Sequence, residues 1–382
     1  MNGKYVIALL VLGVLLAGCT NQPPAAGPAP GPVPVEPPAT KEPIKLGFIG
    51  PLSGDVAAIG IGSKEGVEMA VEEINQAGGI NDRKVEVIYE DGKCSGAAAA
   101  SAGNKLINLD KVSAIIGGLC SGETLAVAPV AEKAGVLMLS SCSSSPKVTE
   151  AGDYIFRDYP SDEFQGAFGA EYAFNELKAR KVAIIYSLSD WGVPIKDRFK
   201  ARFTELGGTI VAEEGVDDKI QDTRTQLMKL KSANPDAVYM PQYSGATAII
   251  LKQAKELGLT VPLLGGDAGN DPKVIEVGGS AAEGFLSTVP FSEPPKEWEA
   301  AYTQRTGHEV RLCGVHAYDA AKIMAKALAV VGDDASKLRD YLYAMPPYKG
   351  MSGEVSFDRN GDLKGARYSV LQVKNAKFEK VY

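Results

Sequence analysis

Histidine is nearly absent from this chain. Among 382 residues there are two, His308 and His316. No Cys/His spacing suggests a zinc site, and a serine or cysteine hydrolase would have little to use as its base. No Gly-x-Ser-x-Gly elbow occurs, and nothing else calls for a metal or cofactor. Positive charge is also short. The 40 Lys and Arg stand against 47 Asp and Glu, for a net charge of −7. No basic face is implied, which argues against nucleic acid as a partner. The apolar stretch near the start, YVIALLVLGVLL (5–16), is too short to span a bilayer comfortably.

What is present begins with that stretch. Lys4 precedes it and Ala17-Gly18-Cys19 follows, the layout of a secretory signal over residues 1–18. Leu16-Ala17-Gly18-Cys19 resembles the bacterial and archaeal lipobox, which implies cleavage before Cys19 and a lipid on its sulfur. Residues 19–43 read as a linker. Its PPAAGPAPGPVPVEPP run is rich in proline, which lacks an N–H and fixes φ. The result is an extended leash of about 3 Å per residue, roughly 70 Å in all. A globule tethered in this way belongs outside the cell, at the outer face of the membrane. Beyond Cys19 the cysteines are Cys94, Cys120, Cys142 and Cys313. An exported chain with an even count is open to disulfides, and spacing alone does not say which pair.

The length suggests two domains. From Ile44, short β-rich runs alternate with amphipathic helical stretches. IKLGFIG, VEVIYED, VSAIIGGL and VLMLS read as strands between helices, the grammar of βαβ units with a parallel sheet. After Pro160 the same grammar restarts with KVAIIYS, TIVAEEGV, AVYMPQ and PLLGG. The expected fold class is therefore α/β, with two doubly wound parallel-sheet lobes. Near the end, GEVSFD and YSVLQVK read as a strand pair around the Asn360-Gly361 turn signal.

In open α/β sheets, ligands sit beyond the C-terminal ends of the strands. GPLSGD, GGLCSGET and SSCSSSP fall there in the first unit, and PQYSGA and GGDAGN in the second. Serines at a strand end just before a helix present hydroxyls and free N–H groups together, an anion site helped by the helix dipole. Ser121 and Ser144 are the candidates for holding one carboxylate. The plain alternative for Ser121 is that it caps its own helix. Asp267 is placed to meet a ligand cation or to cap the helix near Asp271. Trp191 and Tyr243 lie just past strands, where aromatics pack on a ligand stem or merely between lobes. Ser144-x-x-Lys147 matches a pattern of penicillin-recognising enzymes, but Pro146 interrupts it and no Ser-Asp-Asn follows. Gly60-x-Gly62-x-x-x-Gly66 is one residue off the dinucleotide fingerprint, with loop flexibility as the simpler reading.

From Ile44 to the C-terminus the chain resembles the substrate-binding proteins of branched-chain amino acid ABC importers, the leucine/isoleucine/valine-binding family. The matching stretches are IGPLSGDVAAIG, GVEMAVEEINQAGGI, YEDGKC, GGLCSGET, GVLMLSSCSSSP, PSDEFQG and FDRNGDLKG. The resemblance implies the type I periplasmic-binding-protein fold, with two lobes joined by a three-strand hinge and an amino acid clamped between them. Lobe 1 would be 44–160 plus 291–356, and lobe 2 would be 161–290 plus 357–382. The crossings would fall near Tyr159–Ser161, Val289–Phe291 and Phe357–Asp358. Carried over residue by residue, Ser121 and Ser144 would hold the ligand carboxylate, and the carbonyl of Cys142 and Asp267 its ammonium. Asp162, Trp191 and Tyr243 would close over it, and Cys94 and Cys120 would form the family disulfide. Asp267 stands where the family has glutamate and reaches about 1.5 Å less. Ile59 stands where it often has tyrosine. Cys142 and Cys313 would line the pocket, as free thiols, as a second disulfide or, as expected here, as small apolar packing.

The implied function is capture of a neutral amino acid and its delivery to a membrane permease, by a lipid-anchored monomer without catalysis. Two other readings remain. One is a sensory receptor domain, which would usually carry a spanning helix after the domain, where this chain ends at KFEKVY. The other is a binding protein for an amide or urea-type solute.

Overall fold

The structure is a computed structural model that describes Gly18 and residues 41–382. The lipobox cysteine Cys19 and nearly all of the signal and linker fall outside the described residues. In the first lobe, β1 (Ile44–Gly50), α1 (Ala57–Gln76), β2 (Val85–Asp91), α2 (Gly96–Lys105), β3 (Ala114–Gly117), α3 (Ser121–Ala134), β4 (Leu137–Ser140) and β5 (Ile155–Arg157) follow in order. All five strands pair in parallel, in the order β2-β1-β3-β4-β5.

The second lobe repeats the scheme. It runs α4 (Asp162–Asn175), β6 (Lys181–Ser187), α5 (Gly192–Glu205), β7 (Thr209–Val216), α6 (Arg224–Ser232), β8 (Ala237–Met240), α7 (Ser244–Glu256), β9 (Leu263–Gly265), α8 (Pro272–Gly278) and β10 (Leu286–Pro290). The chain then returns to the first lobe for α9 (Lys296–Thr306), α10 (Gly314–Val331), α11 (Ala335–Ala344) and the small pair β11 (Tyr348–Lys349) and β12 (Glu354–Val355). It ends on the second sheet with β13 (Tyr368–Lys374) and β14 (Lys377–Lys380), both antiparallel, in the order β14-β13-β10-β9-β8-β6-β7.

Strand alternation explains why both faces of each sheet are covered. In β1, Leu46 and Phe48 face a core with Val67 of α1 and Ile323 of α10, while Ile49 faces Ala99 of α2 and Val127 of α3. In β6, Val182 and Ile184 pack with Phe199 of α5, and Ala183 and Ile185 with Leu230 of α6 and Ile250 of α7. A strand buried on both sides must be mostly apolar, and these runs are, apart from the exposed Lys45 and Lys181 and the terminal Ser187.

Three details differ from expectation. The glycines of Gly60-x-Gly62-x-x-x-Gly66 lie inside α1, not in a phosphate loop. A Cβ at Gly66 would stand 2.1 Å from Gly314 O, and one at Gly62 would stand 2.6 Å from Arg311 Cβ. Gly62 and Gly66 let α1 approach the segment that enters α10, and Gly60 lets it approach Pro51. GEVSFD does not pair with YSVLQVK. Its Glu354–Val355 pairs with β11, and YSVLQVK makes its hairpin with β14. Asn360-Gly361 is a turn, but it closes Phe357 onto Leu363. Phe357 packs in the first lobe's core and Asp362 bridges to Arg157.

Candidate functional site

Both parallel sheets have the order 2-1-3-4-5, whose switch points fall at β1/β3 and β6/β8, and ligands favour the crevice beyond such strand ends. At the end of β3, Ser121 is the first residue of α3, where the leading N–H groups have no acceptor within the helix. At the end of β4 comes the serine-rich loop. Ser140 Oγ donates to Gly118 O at 2.6 Å, and Ser143 Oγ lies 3.1 Å from both Gly118 O and Leu119 O. These two hydroxyls stitch adjacent strand ends together. Ser121 Oγ accepts from the Ser145 N–H at 3.1 Å and keeps its own O–H to donate.

Two buried ionisable side chains hold this wall from behind. The guanidinium of Arg157, fully buried, donates from Nε to Asp362 Oδ1 at 2.6 Å and from Nη1 to Ser145 O and Nη2 to Thr149 Oγ1, each at 2.8 Å. Glu123 accepts from the N–H groups of Cys94 at 2.9 Å and of Leu119 and Cys120 at 3.0 Å. Burial pushes its carboxyl up to about 7, against the pull of those three N–H groups.

The second lobe supplies the facing wall. Trp191 precedes α5 and Tyr243 precedes α7, with ring centroids 4.9 Å apart. Asp267 follows β9. Its Oδ2 accepts from Tyr159 Oη at 2.6 Å and its Oδ1 from the Ala268 N–H at 2.9 Å. Burial raises its pKa despite these bonds. The walls touch. The Asp162 N–H donates to Ser144 O at 2.7 Å, Ser244 Oγ donates to Asp55 O at 3.1 Å, and ion pairs join Lys147 to Asp190 at 2.8 Å and Lys273 to Asp55 at 2.6 Å.

Between the walls lies a cavity of about 20 Å³, room for about one water. A larger solute enters only when the lobes part. Ile59, Ser121, Cys142, Ser144, Trp191, Tyr243 and Asp267 all line this cavity. Two residues picked from the sequence do not. Asp162 is fully buried at the start of α4, where burial and then the nearby Asp267 carboxylate push its pKa well up. Cys313 borders a separate space instead and is bonded to Cys142, with Cα atoms 5.5 Å apart. That bridge replaces the expected apolar packing of two free thiols. The loop after β4 and the segment entering α10 converge to disulfide distance. Cys94 and Cys120 are also bridged, at 5.3 Å.

Sequence reasoning missed Leu119, Ala268 and Leu312, which also line the cavity, and the supports Arg157, Tyr159 and Glu123. A glutamate three residues past a strand-end cysteine was the one local signal for Glu123. Ser144 and Lys147 make no acylating pair, since Lys147 reaches Asp190. A wider hollow of about 730 Å³ lies elsewhere, lined by Phe164, Phe168, Arg198, Arg367 and Tyr382 among others, and none of the selected residues borders it. Among the described residues no cluster of His, Cys, Asp or Glu could hold a metal ion, and no helix is long and apolar enough to cross a membrane.

A family model described as periplasmic binding protein matches residues 43–377. The chain belongs to the periplasmic binding protein family. Periplasmic binding proteins work outside the cytoplasm, and both this family and the relatives below are binding proteins. This member is 29% identical over 335 residues to the leucine-, isoleucine-, valine-, threonine- and alanine-binding protein of Pseudomonas aeruginosa, spanning 86% of this chain and 89% of that one. Its structure is similar to a leucine-binding protein from Thermotoga maritima, with 32% identity, a TM-score of 0.83 and coverage of 89% and 98%. It is equally similar to a branched-chain amino acid transporter substrate-binding protein from Streptococcus pneumoniae in complex with isoleucine, with 30% identity, a TM-score of 0.83 and coverage of 89% and 99%.

Proposed function

We propose that this protein captures a free neutral amino acid, branched-chain or similar, between its lobes and passes it unchanged to the permease of an ABC importer. The observation that carries this reading is the pairing of chemistries around one cavity. Ser121 and Ser144 stand on one wall, and Asp267, Trp191 and Tyr243 on the other. A zwitterion leaves water cheaply only if both ends find partners. The serine hydroxyls and the open end of α3 suit the carboxylate through charge-assisted bonds. Asp267 and the Cys142 carbonyl suit the ammonium. A leucine-sized side chain buried against Ile59, Cys142 and Leu312 would contribute about 1.5–3 kcal/mol. Because the contacts come from both lobes, ligand shifts the population toward the closed form. In this reading the lobes are joined near 159–161 and 289–291 and, because Phe357 packs in the first lobe's core, at 364–367; the protein acts as a monomer and no bond of the ligand changes. Cys19 carries a lipid that keeps the globule at the outer membrane face, which intact-mass measurement of membrane-extracted protein tests.

Calorimetry against the twenty amino acids, urea and short amides tests the main reading. A neutral aliphatic amino acid should bind at about micromolar Kd or better, near −8 kcal/mol. Binding of none of them would overturn it. Tyr159 favours one second reading. Its hydroxyl already occupies one oxygen of Asp267, an arrangement that suits an uncharged amide donor as well as an ammonium. An amide bound more tightly than every amino acid would establish it.

A further inference from the structure

We infer that the Cys142–Cys313 disulfide, together with Leu312, is the partition that limits how large a ligand side chain the cleft accepts. The inference rests on the amino-acid reading above and concerns specificity within it. Behind the cleft lies a second cavity of about 330 Å³, bordered by Tyr159, Val289, Val315 and His316. Leu312 borders both spaces. Cys142 borders the cleft and Cys313 the space behind. The separation at this point is one side chain and one sulfur bridge thick.

The bridge is well suited to be a stop. A methionine in its place would change rotamer to admit a larger group. The bridge is fixed at both ends. On one side the loop of Cys142 is tied down through Ser145 to Ser121 and Arg157. On the other, Cys313 leads directly into α10, whose Gly314 carbonyl packs against Gly66 of α1. The space behind is large enough for an aromatic ring, and its histidine is uncharged: burial lowers the His316 pKa to about 4, and Nδ1 meets Asp158 O at 2.9 Å. An apolar extension of a ligand would meet no charge from His316 at that end of the space, whose lining elsewhere carries Glu293, Glu299, Arg311 and Lys380.

The test is calorimetry of Ala, Val, Leu, Met and Phe on the full chain, on C142A/C313A and on L312A. In the wild type, Val or Leu should bind at least tenfold more tightly than Phe. In C142A/C313A the Phe-to-Val affinity ratio should rise at least tenfold, and in L312A it should rise in the same direction. An unchanged ratio in C142A/C313A that still binds Val overturns the partition and leaves the amino-acid reading standing. Should C142A/C313A fail to fold, L312A, which retains both bridges, decides by the same ratio. A wild type that binds no amino acid overturns both.

Discussion

Replacing Arg157 with methionine should damage both stability and ligand affinity, for one reason. Its guanidinium is fully buried and spends its donors on Asp362, Ser145 O and Thr149, with a longer bond to Ser143 O. Methionine fills much of the same volume but donates nothing. The Asp362 carboxylate, with a side chain only 16% exposed, and the Ser145 carbonyl would lose charged donors that little water can replace. Removing one partner of a buried pair costs about 3–5 kcal/mol. With an unfolding entropy of about 2.1 cal/mol/K per residue, a globule of this size should lose about 4–7 °C in Tm. Ser145 also ties Ser121 in place, so affinity should fall with stability. Scanning calorimetry and ligand titration read the two effects. Arg157→Met should be paired with Asp362→Asn in a double-mutant cycle, where coupling of at least about 1 kcal/mol is expected. A Tm within 1 °C of wild type, or additive effects of the two substitutions, would refute the buried clamp.

Other outcomes follow from the same geometry. Ser121→Ala removes a donor to the ligand and the acceptor of the Ser145 N–H, and should weaken amino-acid binding by about 1–3 kcal/mol; unchanged affinity in calorimetry would remove Ser121 from the site. Asp267→Asn should hurt amino acids more than simple carboxylic acids, and equal losses for both classes would show that it does not meet the ammonium. His316, buried, has its pKa lowered from 6.5 to about 4. The folded state therefore binds that proton less readily than the unfolded one. Its share of stability is complete above pH 6.5 and lost as pH falls through 4, about 3 kcal/mol in all. Glu123 runs the other way: raised to about 7, its share is complete below pH 4.5 and lost as pH rises through 7. Denaturant titrations of His316→Asn between pH 7 and 4 should thus fall less steeply on acidification than wild type, and parallel curves would contradict the assignment. The rim ion pair Lys147–Asp190 is about half exposed on both sides, so Lys147→Ala should change ligand affinity by less than about 1 kcal/mol, and less still in high salt.

Much of the architecture was legible because βαβ grammar is local. Apolar runs such as IKLGFIG and KVAIIYS can only be strands buried on both faces. The polar clusters after them had to lie at strand ends, and the cavity is built from those clusters. What escaped was non-local. Arg157 and Asp362 are 205 positions apart and Cys142 and Cys313 are 171 apart, so nothing in either neighbourhood announces the other. Tyr159 reads as one aromatic beside a hinge proline until the fold brings it to Asp267. GEVSFD carries a strand pattern and a turn signal, yet its Glu354–Val355 pairs with β11 and not with YSVLQVK. Pattern names the element; partner choice is settled by what else must be buried.

The order in which the chain passes through the first lobe has a consequence for export. The face of β1 that holds Leu46 and Phe48 is covered by α10, which begins at Gly314, after every residue of the second lobe's parallel sheet. A polypeptide emerging from its N-terminal end would therefore display the part of that greasy surface not covered by α1 until α10 arrives, 157 residues after the end of β5 (314 − 157). The later lobe, whose parallel strands and covering helices run consecutively from 162 to 290, suffers no such wait. Chaperones that accompany secretion would find their natural client in the half that emerges first.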